Sequence, residues 1–260
     1  MKGILISIIT IIIMIGITGY ILVSDRLELA KERIDSPVHV SRSDSTITIA
    51  VIGDSWAAYS MKYHFNKMID NELLHYGIKA STLISGMPGA KTSQIYCNMF
   101  DDSTEVGTKK IISSPPQYCI LLMGINDLNG QYGPQYYTHH SMLVIRHLQS
   151  KNIIPIVYNI PDVNYLRLYD KFPLYKKTAY QMLSFITTGN TKLDKRDLYI
   201  EEMNHALSKD GGEYILSDVD FLKQDKETYL EDDIHLNEKG YIELSKSICD
   251  IILKQHNKKQ

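Results

Sequence analysis

Four short blocks in this sequence combine residue types able to carry nucleophilic chemistry. In Gly53-Asp54-Ser55-Trp56 a serine follows a β-branched apolar run. A serine at a strand-to-helix turn holds its hydroxyl at the edge of a sheet. Its own N–H lies near the first helical turn, where donors are free and the dipole is positive. That placement suits a nucleophile whose attack creates an oxyanion, although by itself Asp or Ser here is an ordinary helix cap. Gly86-Met87-Pro88-Gly89-Ala90 is a loop whose glycines let the backbone approach a ligand and present an N–H. Gly124-Ile125-Asn126-Asp127 again follows an apolar run, and the Asn126 amide is able to face a developing negative oxygen; the same residues also suit a turn and cap. Asp232-Asp233-Ile234-His235-Leu236-Asn237 sets a carboxylate three residues before an imidazole. On a tight loop the two fall within one hydrogen bond, so the carboxylate fixes the tautomer and steadies an imidazolium. Asp233 is an alternative partner, at a spacing that fits less well.

Elements must position these blocks. Thr46–Ile52, Lys79–Ile84, Tyr118–Met123, Ile153–Asn159 and Tyr214–Ser217 read as strands. Helical spacing covers Ala57–Tyr76, Thr92–Met99, Tyr136–Ser150 and Asn237–Leu253, with one or two further helices between Tyr165 and Ser208. Strand and helix in alternation predict a parallel sheet covered on both faces. Ligands of such sheets bind at the carboxyl ends of the strands, where the first three blocks fall.

The uncharged run Gly3–Val23 spans 21 residues. About 20 apolar residues cross a bilayer core of roughly 30 Å. No A-x-A site follows it, so residues 1–24 are read as a retained single-pass anchor in preference to a cleaved signal. Lys and Arg are richer after the span than before it, which points the domain inward. The minimal tail ahead of the span instead suits display outside the cytoplasm, and an extracytoplasmic domain is the reading adopted. Leu27–Ile34 is expected to continue as a short polar helix, and residues 25–45, with Pro37, to form a linker. The domain is expected over 46–255.

Composition excludes several classes. The 260 residues carry 28 Lys plus Arg against 30 Asp plus Glu, a formal charge of −2, with 44% hydrophobic residues. Disorder is excluded, and nothing attracts a phosphate backbone, so no nucleic-acid partner is expected. Cys97, Cys119 and Cys249 have neither zinc spacing nor even number, so no disulfide framework or metal site is expected. His139, His140 and His147 read as a solvated helix face. Asp218-Val219-Asp220 reads as an acidic loop, and Tyr132, Tyr136, Tyr137, Tyr165, Tyr169 and Tyr175 read mainly as packing residues, with sugar platforms the other option.

Taken together, the four blocks resemble the SGNH or GDSL hydrolase family over roughly Thr46 to Leu253. The resemblance implies a flavodoxin-like three-layer α/β/α fold with a mostly parallel sheet of about five strands. It implies Ser55 as nucleophile, His235 as general base and Asp232 as its orienting carboxylate. The oxyanion hole would comprise the N–H groups of Ser55 and Gly89, the latter chosen over Gly86 by its spacing, and the Asn126 amide. Trp56 stands where the family's first block commonly has Leu. No cofactor is implied. The expected substrate is an acylated small molecule or glycan at the cell envelope. O-acyl transfer to a glycan, lipase or lysophospholipase activity, and an inactive binding module are the alternatives.

Overall fold

The computed structural model describes residues 2–33, 46–101, 107–163, 165–219, 222 and 227–258. In chain order the elements are α1 (Lys2–Leu27), β1 (Ile47–Gly53), α2 (Ser55–Ser60), a 3₁₀ turn (Met61–Tyr63), α3 (Phe65–His75), β2 (Ala80–Gly86), α4 (Thr92–Asn98) and α5 (Thr108–Ser113). Next come β3 (Tyr118–Leu122), α6 (Ile125–Asn129), α7 (Pro134–Ser150), β4 (Ile154–Tyr158), α8 (Tyr165–Asp170), α9 (Leu174–Thr188), α10 (Arg196–Lys209), β5 (Ile215–Ser217) and α11 (Glu238–Lys258).

The five strands form one sheet in the order β2-β1-β3-β4-β5, with every pairing parallel. This is the doubly wound order in which the chain reverses direction between β1 and β3, opening a crevice at their carboxyl ends. Every residue of β3 and β4 is buried, as are all but one of β1. That burial is why these strands read as continuous apolar runs, unlike edge strands β2 and β5. On the helical layers, α3 packs with α11, and α7 packs between α4 and α10. Each fully buried Ile, Leu or Val contributes roughly 1.5–3 kcal/mol relative to exposure, and the sheet centre supplies Ile49, Val51, Ile120, Leu121 and Ile156.

Several elements differ from the sequence reading. The single helix expected over Ala57–Tyr76 is two, because His64 adopts a left-handed φ of 54° between the 3₁₀ turn and α3. The stretch Tyr165–Ser208 holds parts of three helices, separated at Pro173 and at Gly189, whose φ is 72°. The short helices α5 and α6 were not expected. Leu27–Ile34 does not form the polar helix expected there: α1 ends at Leu27 and Glu28–Arg33 has no regular structure. Most of the expected linker, residues 34–45, lies outside the described residues, as does Asp220.

The described part of that stretch is bonded to the domain. The buried Arg26 guanidinium donates to the Gly130 carbonyl from Nε at 3.0 Å and from Nη2 at 2.8 Å. The Ala30 N–H donates to His140 Nε2, and the Arg33 N–H donates to the Tyr96 hydroxyl. Over Ile9–Leu27, α1 is long and apolar enough to cross a membrane.

Candidate active site

β1 ends at Gly53, and Asp54 caps the next helix: its Oδ1 accepts the Trp56 N–H at 3.0 Å. Ser55 is therefore the first residue of α2, at the carboxyl edge of the sheet and buried. Its N–H has no hydrogen-bond partner among the described residues, as expected of a first-turn donor.

The loop before α11 brings the other two candidates to it. The Ser55 hydroxyl lies 2.9 Å from His235 Nε2, and His235 Nδ1 lies 2.6 Å from Asp232 Oδ2. With Nδ1–H directed at the carboxylate, Nε2 is left to accept the serine proton. The other Asp232 oxygen accepts the N–H groups of Ile234 and His235, both at 2.9 Å. Partial burial raises the Asp232 pKa, but the bonds from the His235 ring and from these two N–H groups outweigh it, and the carboxyl sits below its ordinary value. Asp232 is therefore the His235 partner, while the alternative, Asp233, takes a left-handed φ of 61° that turns the loop.

Two further loops meet at this edge. Gly86 packs directly on α2: a Cβ there would lie 2.1 Å from the Ala58 nitrogen. Gly89 instead has open space around its Cα but a φ of +77°, a conformation L-residues adopt at a cost. Its N–H also has no partner among the described residues. Asn126, in the first turn of α6, donates from Nδ2 to the Ala90 carbonyl at 3.0 Å and lies 3.4 Å from Asp54 Oδ2. The amide thus holds the Gly89-Ala90 loop with one hydrogen, and its second makes only a long contact. An arrangement of this type allows proton transfer from a hydroxyl to an imidazole, with backbone and amide donors close to the attacking oxygen.

No family model matches the chain, and no curated protein does. Solved structures do. A lipase/acylhydrolase from Enterococcus faecalis aligns with a TM-score of 0.56 at 15% identity, over 80% of this chain and 96% of that one. A psychrotrophic esterase from Pseudoalteromonas gives 0.57 at 13% identity, over 81% and 98%. The Clostridium thermocellum family 3 carbohydrate esterase gives 0.54 at 16%, over 80% and 98%. The chain has the SGNH hydrolase fold.

Within this SGNH fold, several residues around the site take roles that the sequence reading did not assign. Trp56, the departure from the family's common Leu, donates from Nε1 to the Ile234 carbonyl at 3.0 Å. It thereby fastens the loop of His235 to the helix of Ser55, and Tyr241 holds Trp56 in turn through a hydroxyl bond to its carbonyl at 2.8 Å. Tyr59 packs its ring against His235, with centroids 4.7 Å apart. Asp127 ties α6 to α4, accepting the Thr92 N–H at 3.1 Å and the Thr92 hydroxyl at 2.8 Å. Burial pushes the carboxyls of Asp54 and Asp127 up to about 7 each, against the N–H and hydroxyl bonds they accept. Next to Gly89-Ala90, Lys91 Nζ donates to Tyr132 at 3.0 Å and to Asp25 at 3.2 Å, linking the end of α1 to the loop.

Of the histidines expected on a solvated face, only His139 is partly exposed. His140 and His147 are buried, and His139 lies 2.7 Å from the Ala30 carbonyl. Desolvation lowers the His140 pKa to about 4. Tyr136, Tyr137 and Tyr169 are buried packing residues, whereas Tyr175 is exposed. The three cysteines are free thiols. Among the described residues no three His, Cys, Asp or Glu side chains cluster as metal ligands.

Proposed function

We propose that this chain is a membrane-anchored serine hydrolase that cleaves small acyl esters through a covalent acyl-enzyme. The observation that carries the reading is the continuous chain Asp232–His235–Ser55, with contacts of 2.6 and 2.9 Å, at the carboxyl edge of β1. In the first half-reaction His235 Nε2 takes the Ser55 proton as Oγ bonds to the ester carbonyl carbon. The tetrahedral oxygen is held by the N–H groups of Ser55 and Gly89 and by the Asn126 amide. The carbonyl re-forms, the alcohol leaves with the proton from His235, and an acyl-Ser55 remains. In the second, His235 takes a proton from water, the hydroxide oxygen bonds to the acyl carbon, and Ser55 departs with that proton. No metal or cofactor enters any step.

The proposed substrate is a short acyl group, such as acetyl, carried on a carbohydrate or another small alcohol. Likeness to an esterase and a carbohydrate esterase supports this class. The anchor reading is supported by the bonding of Arg26 into the domain, since the end of a helix destined for removal needs no such contacts. The test is hydrolysis of short-chain aryl esters and acetylated sugars by the purified full chain, with fluorophosphonate labelling alongside. Ser55→Ala is expected to lose both hydrolysis and labelling. Undiminished hydrolysis by Ser55→Ala overturns the assignment.

A further inference from the structure

α9 presents an apolar face that none of the described residues covers. Its buried residues are Leu183 and Ser184. On the outward face Leu174, Tyr175, Met182, Phe185 and Ile186 are between 44% and 82% exposed. Their positions fall on one side of the helix, as a pair at its start and three in its last two turns, with the small exposed residues Thr178 and Ala179 between them. Scattered apolar side chains on a surface need no explanation, but five large ones gathered on one side of a single helix mark a binding surface.

Two observations identify what binds there. First, α9 packs against α1, which exposes large apolar side chains such as Ile9, Ile13, Ile17, Tyr20 and Ile21. The uncovered face is thus continuous with the helix proposed to cross the bilayer. Secondly, Lys171, Lys176 and Lys177 lie at the start of α9, and Asp170, the only acid from 170 to 193, pairs with Lys177 alone at 3.4 Å. In a symmetric pair of chains whose α9 helices run parallel on this face, these cations would face their own copies. Against anionic lipid headgroups they are attracted. A second copy is therefore the poorer occupant.

We infer that α9 lies in the lipid–water interface beside α1, with its apolar stripe inserted among the acyl chains and its lysines among the headgroups. Helices of this type bury their apolar face about 5–10 Å into the headgroup and acyl boundary. The end of α9 reaches the carboxyl edge of the sheet, where a Cβ on Gly133 would lie 2.9 Å from Thr187. The end of α1 docks at the same edge through Gly130 and Lys91. The two contacts together hold the edge that carries Ser55 on the membrane side. This inference rests on the reading of α1 as a membrane span.

The experiment uses the full chain in vesicles of phosphatidylcholine and phosphatidylglycerol, with and without brominated acyl chains that quench tryptophan on contact. Native Trp56 is buried and supplies a constant background. Phe185→Trp reports on α9, Tyr20→Trp on α1, and Tyr76→Trp on the opposite sheet edge, where Tyr76 is exposed. The expected result is blue-shifted, bromine-quenched emission from Phe185→Trp and Tyr20→Trp, and none from Tyr76→Trp. Quenching of Tyr20→Trp with Phe185→Trp no more quenched than Tyr76→Trp overturns the α9 inference and leaves the anchor standing. Absence of quenching at Tyr20→Trp overturns the anchor itself. A blue shift at Phe185→Trp that is unquenched and fades as protein is diluted in lipid assigns the face to a second copy, which also overturns the inference. Met182→Trp repeats the measurement on the same stripe should Phe185→Trp fail to fold.

Discussion

The proposed mechanism gives Asn126 two duties that pull on one amide. One hydrogen holds the Ala90 carbonyl at 3.0 Å, and the other is only 3.4 Å from Asp54 Oδ2. A contact that long is weak, so an oxyanion forming near Ser55 outcompetes it at little cost. Asn126→Ala is expected to lower kcat for ester hydrolysis by about 100–1,000-fold, the usual loss for one oxyanion donor. Circular dichroism of the variant should stay native, because other hydrogen bonds, including those of Asp127 to Thr92, still tie α6 to its neighbours. A kcat within a few-fold of the parent, measured on a short-chain aryl ester, removes Asn126 from the chemistry and leaves it a loop support. The same local logic made the site legible from sequence. Ser55, Asn126 and the Asp232–His235 pair are each marked by glycine or acid neighbours within a few positions. Asp232 was separable from Asp233 only by spacing, and the folded loop decides between them through the left-handed turn at Asp233.

At the level of elements, Trp56 is the bolt between the two halves of the site. Its indole N–H bonds to the Ile234 carbonyl, 178 residues away in sequence. Trp56→Phe keeps an aromatic ring and removes that donor. We expect a loss of about 1–3 kcal/mol of stability, the hydrogen bond together with the buried volume that the smaller ring leaves empty, read from urea unfolding. We also expect a fall in kcat larger than the change in KM, since the loop of His235 loses its tether to α2 while the rest of the pocket stays. A variant that is less stable but unchanged in kcat shows that Asp232 and the 229–236 loop hold His235 unaided. No sequence pattern announces a contact of this range, which is why Trp56 registered only as a departure from Leu. Strands were readable for the opposite reason: β1, β3 and β4 are buried on both sides, and unbroken β-branched runs betray them. The region of α8, α9 and α10 was not readable. The large apolar residues on the outward face of α9 mix with its inward Leu183, so its polar and apolar sides blur. The segment 25–33 misled in a different way, because Asp25 and Arg26 bond to Lys91, Tyr132 and Gly130 and so fasten its start to the domain, while Glu28, Lys31, Glu32 and Arg33 face water as linker residues would.

The molecule as a whole sets its candidate site on two buried acids at the switch point of the sheet. Asp54 and Asp127 are at most 1% exposed, and they stand behind β1 and β3 respectively. Burial pushes both up to about 7, whereas an unfolded Asp titrates near 3.9. Folding therefore takes up protons between those values. Where the native state binds more protons than the unfolded one, stability falls as pH rises. This contribution is full below about pH 4, is lost as pH climbs through about 7, and is constant beyond. Asp127→Asn isolates it. The amide oxygen still accepts a bond from Thr92, but the acid is gone, and Asp54 is relieved of a neighbouring charge that raises its own pKa. Near pH 5 the variant is expected to be no more stable than the parent, having lost one acceptor oxygen. As pH is raised to about 8 its urea midpoint should gain on the parent's, because only the parent must then either hold a costly proton or bury a charge. A parent that gains on the variant across the same range contradicts the sign, and would place ionised carboxylates at the base of the site.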